Sequence, residues 1–371
     1  MWQRFKQILG INSFPLNKIY LSHHNLVSNY NYISSLNSEV KIAPVLKSNA
    51  YGHGLALIGK LVDELKAPFI CVDSLYEALV IKKAGIKTPI LIMGYVDPRS
   101  LQRRKMPFSY AVFDLEYAKA INQFQKGSGV HIFVDTGMNR EGVRLEDLSE
   151  FIDQLKLLSN LKIEGLMTHF ASADEPNEKI NDYQISSFEK AKKICSEAGL
   201  EIKWFHCGGS YTLLNSLVKK DIVNVIRSGK SLYGYGDGNL KPVLCMKTKI
   251  VQIKNIRSKE KVGYNCTFQA NNDMMIGILP LGYNDGVDRR LSNKGVVLVG
   301  GVECPIIGRV SMNITTVDLS AVKNPYVGQE VTVFSNKPQD KNSLQNSAKL
   351  CETIIYELLV HLHPSTRREV V

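Results

Sequence analysis

The chain has 371 residues, of which 44% are hydrophobic and 22% are charged, a composition typical of a globular protein. This composition excludes a mainly disordered chain, and the length predicts two domains or one barrel-sized domain with an appendage. Lysine and arginine number 46 against 35 acidic residues, but they are spread thinly, with residues 103–105 and 367–368 as the densest groups. We therefore expect no nucleic-acid partner.

Neither a membrane span nor a secretion signal is predicted. No apolar run reaches the roughly 18 residues of a membrane helix, and residues 1–9 lack a long apolar core and a small-residue cleavage site. The seven cysteines include no close pair, which predicts reduced thiols and argues against zinc or a disulfide framework. We expect a cytoplasmic protein with no membrane contact and no metal.

Eight short apolar runs alternate with helix-like stretches in the first two thirds of the chain. The predicted strands cover residues 41–46, 69–72, 90–93, 110–113, 130–134, 163–167, 202–205 and 222–226. Apolar residues at three- and four-residue spacing predict helices over residues 55–66, 75–83, 115–123 and 180–195. Alternating strands and helices form parallel sheets through right-handed crossovers. The pattern therefore predicts an α/β fold, a (β/α)8 TIM barrel.

After about residue 240 the pattern changes to polar and apolar residues in alternation. Residues 247–253, 312–317 and 330–334 alternate in this way, glycine-rich turns separate them, and a long helix is predicted only over residues 344–362. Such a pattern is typical of a mostly antiparallel β domain. We predict a barrel domain over residues 15–242 and a β-strand-rich domain over residues 243–371, with residues 1–14 as an extension that packs on the second domain.

The residues that follow the predicted barrel strands are those expected to carry chemistry, because barrel enzymes use the carboxyl ends of their strands. Lys47 follows the first strand, and glycines follow the seventh and eighth strands. Glycine lets backbone N–H groups approach a phosphate closely. A lysine amine can bond covalently to an aldehyde cofactor, and an aldehyde that also carries a phosphate describes pyridoxal 5'-phosphate.

The segment over residues 45–54, Val-Leu-Lys-Ser-Asn-Ala-Tyr-Gly-His-Gly, resembles the cofactor-lysine motif of alanine racemases. Further segments agree with that family in the same order: residues 134–140, 168–174, 227–234, 280–286 and 308–312. The resemblance covers nearly the whole chain, from Pro15 to Arg368. It implies a fold type III pyridoxal-phosphate enzyme, an isomerase that interconverts L- and D-alanine and supplies D-alanine for cell-wall peptidoglycan.

The resemblance implies two catalytic acid/base groups, Lys47 and Tyr264. Lys47 would hold the cofactor and serve one face of the substrate, whereas Tyr264 would reach the opposite face from the other subunit. Racemisation removes a proton from one face and returns it to the other, so two groups on opposite sides suit it. A head-to-tail homodimer with shared active sites is therefore implied.

The same resemblance implies how the cofactor is bound. Arg227 would lie beside the pyridine nitrogen and keep it unprotonated, which favours simple proton return over transamination or decarboxylation. His169 would orient Arg227 and lie near the ring. The groups implied at the phosphate are Tyr51, Ser210, Gly229 and the Lys230 backbone.

Substrate contacts are implied for Arg140 and for the backbone N–H of Met312, which would share the substrate carboxylate. Residues that resemble the family's polar access corridor are Asp174, Arg290 and Arg309. The residues assigned to structural roles are His53, His206, Cys207 and Cys304.

The sequence departs from the family pattern at several site positions. Phe133 stands where the family often has a carbamylated lysine, so the substrate-binding arginine must take another partner. Asn313 replaces a usual aspartate, and Pro364 replaces a tyrosine that gates the pocket. Ser228 and Lys230 stand where proline and isoleucine are common.

Three other functions fit parts of the sequence. A racemase of broad specificity, or one for serine or basic amino acids, is the main alternative because the missing gate tyrosine would permit larger substrates. A decarboxylase of the same architecture would need an acidic residue at the pyridine nitrogen, which Arg227 argues against. A carrier that binds the cofactor without turnover would resemble the barrel alone, and the domain that contains Tyr264 argues against it.

Overall fold

The computed structural model describes residues 14–175, 178–217 and 221–371. These residues divide into two compact units: His23–Lys241, and residues 14–22 joined to Pro242–Val371. The first strand, β1 (Lys18–Leu21), pairs with strands of the second unit. The first unit therefore begins at residue 23 instead of the predicted residue 15. Residues 1–13 of the expected N-terminal extension lie outside the described residues.

Eight parallel strands form the barrel of the first unit. They are β2 (Lys41–Pro44), β3 (Ile70–Val72), β4 (Ile90–Ile92), β5 (Ser109–Val112), β6 (Gly129–Asp135), β8 (Lys162–Met167), β9 (Trp204–Cys207) and β10 (Val225–Ser228), while the short β7 (Val143–Arg144) pairs with β6. The sheet runs in the order β2-β10-β9-β8-β6-β5-β4-β3. A bridge between Val45 and Cys71 joins its two ends. The predicted barrel is confirmed.

Helices follow the strands of the first unit. They are α1 (His23–Ser35), α2 (Leu55–Asp63), α3 (Leu75–Lys83), α4 (Pro98–Leu101), α5 (Leu115–Phe124), α6 (Leu148–Lys156), α7 (Lys179–Glu197) and α8 (Ser210–Leu214). The helix α3 starts in a capping box between Ser74 and Glu77, which satisfies backbone donors at its first turn. Among the described residues, no helix is both long and apolar enough to span a bilayer.

The last two barrel strands lie two to three residues later than the apolar runs predict, at 204–207 and 225–228 instead of 202–205 and 222–226. The reason is that polar side chains, His206 and Arg227, belong to the strands themselves and are buried inside the unit. A prediction that follows apolar residues stops a strand before such buried polar groups.

The second unit is built from antiparallel strands. They are β11 (Leu244–Lys249), β12 (Gln252–Ile256), β13 (Lys261–Val262), β14 (Phe268–Gln269), β15 (Met274–Leu279), β16 (Val296–Val299), β17 (Val302–Pro305), β18 (Thr315–Asp318), β19 (Glu330–Phe334) and β20 (Arg367–Val370). The largest sheet has the order β17-β16-β19-β11-β1-β20, in which β1 and β20 are parallel. Two smaller sheets contain β12-β15-β18 and β13-β14. The mostly antiparallel β domain is confirmed.

Two predicted elements of the second unit are each divided in the structure. The run over residues 247–253 becomes β11 and β12, because the N–H of Ile250 donates to Gln329 whereas the N–H of Val251 donates to Ile278 of another sheet. The helix predicted over residues 344–362 becomes α9 (Leu344–Leu350) and α10 (Ile355–Val360). Glu352 between them has a left-handed φ of 52°, which ends the first helix.

Candidate active site

Lys47 lies three residues after β2, at the start of an unusual turn. The four residues that follow it, Ser48, Asn49, Ala50 and Tyr51, have φ values of 55°, 55°, 54° and 50°. Such left-handed conformations cost L-residues roughly 1–2 kcal/mol each. Backbone hydrogen bonds from Ala50 to Leu46 (2.9 Å) and from Gly52 to Ser48 (3.0 Å) close the turn. This strain marks the turn as a candidate functional segment.

A buried carboxylate supports this turn. Glu77 is 8% exposed, and its Oε1 accepts the Asn49 N–H at 3.3 Å. Its Oε2 accepts the N–H groups of Asp73 (3.0 Å) and Ser74 (3.3 Å) at the start of α3. The Asn49 Oδ1 in turn accepts the N–H of Leu55, the first residue of α2. Glu77 was not predicted from the sequence, because its role depends on a contact 28 residues away.

Arg227 on β10 forms hydrogen bonds with His206 on β9 and with Thr168, the residue that follows β8. Arg227 is 5% exposed, and its Nη2 donates to the carbonyl of Thr168 at 2.6 Å. Its Nη1 donates to the Nδ1 of His206 at 2.9 Å and to the His206 carbonyl at 3.2 Å. Burial lowers the pKa of Arg227, but a guanidinium stays charged at neutral pH. The result is a buried, fixed positive charge.

His169 accepts a hydrogen bond from Arg227, with 3.3 Å between Nδ1 and Nη2. Burial first, and then the positive charges of Arg227, Arg140 and Lys47 in that order, lower the pKa of His169 to about 3. The imidazole is therefore neutral, as an acceptor for Arg227 must be. Of these three cations, Arg227 contacts His169 directly, and Arg140 lines one small cavity together with His169.

A chain of histidines continues inward from Arg227. Because a guanidinium only donates, the Nδ1 of His206 accepts, and its Nε2 carries the proton. That Nε2 lies 2.8 Å from the Nδ1 of His131. Burial, followed by the charge of Arg227, lowers the pKa of His131 to about 3 and that of His206 well below its ordinary value. His206, predicted to be structural, thus contacts Arg227 directly. Its position after the seventh predicted barrel strand could have indicated this contact.

The loops after β9 and β10 form a narrow cradle. A Cβ at Gly229 would lie 2.7 Å from the Tyr51 hydroxyl oxygen, so only glycine fits there. Burial raises the pKa of Tyr51 to about 12, which keeps its phenol a proton donor at neutral pH. The Ser210 Oγ lies 3.0 Å from the Ser228 Oγ. Lys230 lies on the same loop as Gly229, and its Nζ donates to the Tyr211 hydroxyl at 2.6 Å.

This cradle has the donors that a phosphate group needs. Two buried hydroxyls nearby in the chain, on Thr212 in α8 and on Ser231 after β10, have no hydrogen-bond partner among the described residues. A buried polar group without a partner costs about 1–3 kcal/mol, and phosphate oxygens are strong acceptors. The residues present therefore fit a phosphate group such as that of pyridoxal 5'-phosphate.

Tyr264 lies in the second unit, in a short 3-10 turn (Tyr264–Cys266) between β13 and β14. Gly263 before it has a φ of 76°, and a Cβ there would lie 3.2 Å from the Arg309 backbone nitrogen. Asn265 and Cys266 after it have φ values of 59° and 51°. The phenol of this strained turn is 68% exposed. Tyr264 is therefore not a packed strand aromatic but a side chain presented to solvent within this unit.

Met312 shares an open groove with Tyr264. The groove has a volume of about 940 Å³ and is lined by Tyr264, Asn265, Tyr283, Gly286, Asp288, Arg289, Arg309, Val310, Ser311, Met312, Leu358 and His361. Two backbone hydrogen bonds connect the segments that line this groove. The N–H of Tyr283 donates to the Ser311 carbonyl and the N–H of Asn284 donates to the Met312 carbonyl, both at 3.0 Å. The second unit thus brings Tyr264 and Met312 together, and the first unit contains the other predicted site residues.

Comparison with known proteins agrees with this architecture. Models described as "Alanine racemase, N-terminal domain" and "Alanine racemase, C-terminal domain" match residues 21–237 and 243–370. Alanine racemase from Clostridium novyi is 32% identical over 350 residues, which are 90% of each chain. The chain belongs to the alanine racemase family.

Solved structures of alanine racemases have the same fold. That from Clostridium difficile 630 superimposes with a TM-score of 0.90 at 27% identity and covers 97% of both chains. That from Bacillus anthracis, which has bound L-Ala-P, gives a TM-score of 0.88 at 29% identity and covers 97% of this chain and 96% of its own.

In this member of the alanine racemase family, Phe133 is surrounded by apolar side chains. Phe133 is buried against Ala111 and Met167. Arg140 instead pairs with Glu141, at 3.5 Å between Nη2 and Oε2, and both side chains are about half exposed (51% and 43%). The backbone before Arg140 is held by Asp135, whose carboxylate accepts three consecutive N–H groups of residues 137–139. The turn, more than the ion pair, orients the arginine.

Two further departures from the alanine racemase pattern lie at the surface of the second unit. Asn313 and Pro364 are exposed. The carbonyl of Pro364 accepts a hydrogen bond from Arg368 at 3.2 Å. Arg290, predicted for the access corridor, pairs with Asp288 at 2.7 Å and Glu357 at 3.2 Å.

Proposed function

We propose that this chain is an alanine racemase that interconverts L- and D-alanine with pyridoxal 5'-phosphate. The observation that carries the proposal is the buried guanidinium of Arg227, held by His169, His206 and the Thr168 carbonyl at the carboxyl end of the barrel. A lysine amine, a buried guanidinium and an adjacent phosphate cradle are the parts that this cofactor needs. The relatives named alanine racemase support alanine as the substrate.

Within this proposal, each barrel residue has one task. Tyr51, Ser210, Gly229 and the Lys230 backbone bind the phosphate, and Lys47 holds the cofactor covalently. Bound in this way, the cofactor supplies an electron-withdrawing ring that makes the substrate Cα proton acidic. Arg227 would hold its permanent positive charge toward the ring nitrogen of the cofactor and would oppose its protonation. His169, His206 and the Thr168 carbonyl keep the guanidinium in place.

Lys47 and Tyr264 carry the proton on the two faces of the substrate. Because the two groups belong to different units of the chain, we propose that Tyr264 of the partner subunit serves each Lys47 in a homodimer. The exposed phenol in an open groove supports this arrangement, because its side chain is accessible to a surface outside its own unit. Arg140 and the Met312 backbone N–H then bind the substrate carboxylate.

A racemase of wider specificity is the second candidate. Pro364 cannot supply the phenol that narrows the pocket in many family members, and Asn313 removes a negative charge. Supply of D-alanine for peptidoglycan follows from the first candidate only. The cytoplasmic location expected from the sequence stays a prediction.

The decisive experiment is a chiral amino-acid panel. Purified protein with added pyridoxal 5'-phosphate is incubated in deuterium oxide with L-alanine, L-serine, L-lysine, L-arginine or L-glutamate. We expect D-alanine to form far ahead of the other D-isomers, and a Lys47→Ala variant to form none. Leading formation of D-serine or D-lysine would favour the wider specificity, and release of carbon dioxide without a D-product would contradict both candidates.

A further inference from the structure

Two side-chain contacts join the loops that form the phosphate cradle. One loop segment, residues 208–211, follows β9 and includes the first two residues of α8, and the other, residues 228–231, begins with the last residue of β10. The hydroxyl oxygens of Ser210 and Ser228 lie 3.0 Å apart, and these serines are 5% and 0% exposed. The N–H of Ser231 also points to the Ser210 Oγ, at 3.4 Å. The segment over residues 208–211, which would bind phosphate through Ser210, is therefore held by the segment over residues 228–231. The latter would bind phosphate through Gly229.

The second contact adds a positive charge to the cradle. The Lys230 ammonium donates to the Tyr211 hydroxyl at 2.6 Å and lies 4.6 Å from the centre of the same ring. Tyr211 adjoins Ser210, and Lys230 adjoins Gly229, so this contact also joins the two loops. Both side chains are half-buried, where a charge is screened less than at the open surface.

We infer that Ser228 and Lys230 are positioning residues that clamp the two loops and thereby set the affinity for the phosphate of the cofactor. This inference rests on the proposed function. The clamp holds the Ser210 hydroxyl and the backbone N–H groups before the cofactor arrives, which reduces the entropy lost on binding. The ammonium favours a doubly charged phosphate over a neutral group at the same place.

The test compares pyridoxal 5'-phosphate with pyridoxal, which has the same aldehyde and ring but no phosphate. Each is titrated into the full-length chain freed of cofactor, and Kd is read from the visible absorbance that appears when the aldehyde joins Lys47. For pyridoxal 5'-phosphate, Lys230→Met should raise Kd about tenfold and Ser228→Ala about threefold. Neither change should alter the Kd of pyridoxal more than twofold. Lys230→Arg should restore most of the affinity.

A matched control is available on the same barrel. Lys203 lies 4.7 Å from the ring centre of Trp204, a similar cation–aromatic contact away from the cradle. Lys203→Met should leave both Kd values unchanged. Equal Kd values for wild type, Lys230→Met and Ser228→Ala, or an equal weakening of pyridoxal, would overturn the clamp. Failure of the wild-type chain to bind pyridoxal 5'-phosphate would overturn the proposed function and the clamp together.

Discussion

At the scale of single residues, the most constrained side chain of the candidate site is Arg227. A buried charge is tolerated only when hydrogen bonds replace its hydration. Here carbonyl oxygens of Thr168 and His206 and the imidazole nitrogens of His206 and His169 provide them. Each partner is itself neutral, so the positive charge that faces the proposed cofactor is not cancelled.

His206→Phe tests this dependence. The phenyl ring has a similar size, but it accepts no hydrogen bond from Arg227 and donates none to His131. We expect the free energy of unfolding in urea to fall by about 1–3 kcal/mol, and turnover to fall as the guanidinium loses its fixed direction. His24→Gln at an exposed position serves as the control. If both variants match wild type, the histidine chain does not hold Arg227.

At the scale of elements, the turn after Lys47 is the least expected feature of the fold. Four successive left-handed residues, none of them glycine, need compensating interactions. Glu77 provides one by joining the turn to the start of α3, and the capping box of α3 fixes that carboxylate. The direction of the Lys47 side chain thus depends on a helix that begins 28 residues later in the chain.

Glu77→Gln measures this support. The amide retains one acceptor oxygen, so at least one of the N–H groups of Asn49, Asp73 and Ser74 faces an amide NH2 group. We expect a loss of about 1–3 kcal/mol in stability and slower attachment of pyridoxal 5'-phosphate to Lys47, measured as the rise in visible absorbance. Glu116→Gln, which removes an exposed ion pair with Lys119, should change neither quantity. Equal rates for the two variants would show that the turn does not need Glu77.

At the scale of the whole molecule, the proposed acid/base pair is divided between two units. His23–Lys241 contains Lys47, and Tyr264 lies in the unit that contains Pro242–Val371. This division makes the proposed homodimer testable without a structure of the complex, because each inactive variant retains the group that the other lacks.

Mixing Lys47→Ala with Tyr264→Phe should restore alanine racemisation. After random exchange of subunits, half of the dimers contain one copy of each variant, and each of these has one complete site, so activity should reach about a quarter of wild type. The racemisation rate is followed before and after mixing. A mixture that stays as inactive as its two components would contradict shared active sites.

Low pH should destabilise the fold through the buried histidines His131 and His206. Burial, then the charge of Arg227, lowers both folded-state pKa values, to about 3 for His131, whereas an unfolded histidine titrates near 6.5. Below pH 6.5 the unfolded chain therefore binds protons that the folded chain does not, and stability falls as pH decreases toward 3. Each histidine contributes a slope of up to about 1.4 kcal/mol per pH unit. Urea unfolding at pH 7 and pH 5 should show this loss, and His131→Gln should reduce it.

Much of the architecture could be predicted because it depends on local periodicity. All eight barrel strands and the change to antiparallel strands after residue 240 follow from apolar spacing. The predicted boundaries of strands and domains were wrong where a contact between residues distant in sequence sets the boundary. No strand was predicted over β1, which hydrogen-bonds to β11 and β20, more than 200 residues away, and the predicted boundary at residue 15 assigned its residues to the barrel domain.

Local patterns along the chain are enough to predict the barrel, the second domain and the order of chemical groups at the strand ends, because strand and helix periods are local and each strand end is a fixed point along the chain. How those groups are held depends on contacts between distant residues. The support of Lys47 by Glu77, the contact between Arg227 and His206, and the contact between Lys230 and Tyr211 join residues from different strands and loops. Their side chains meet only when the barrel closes, and no local pattern encodes such distances.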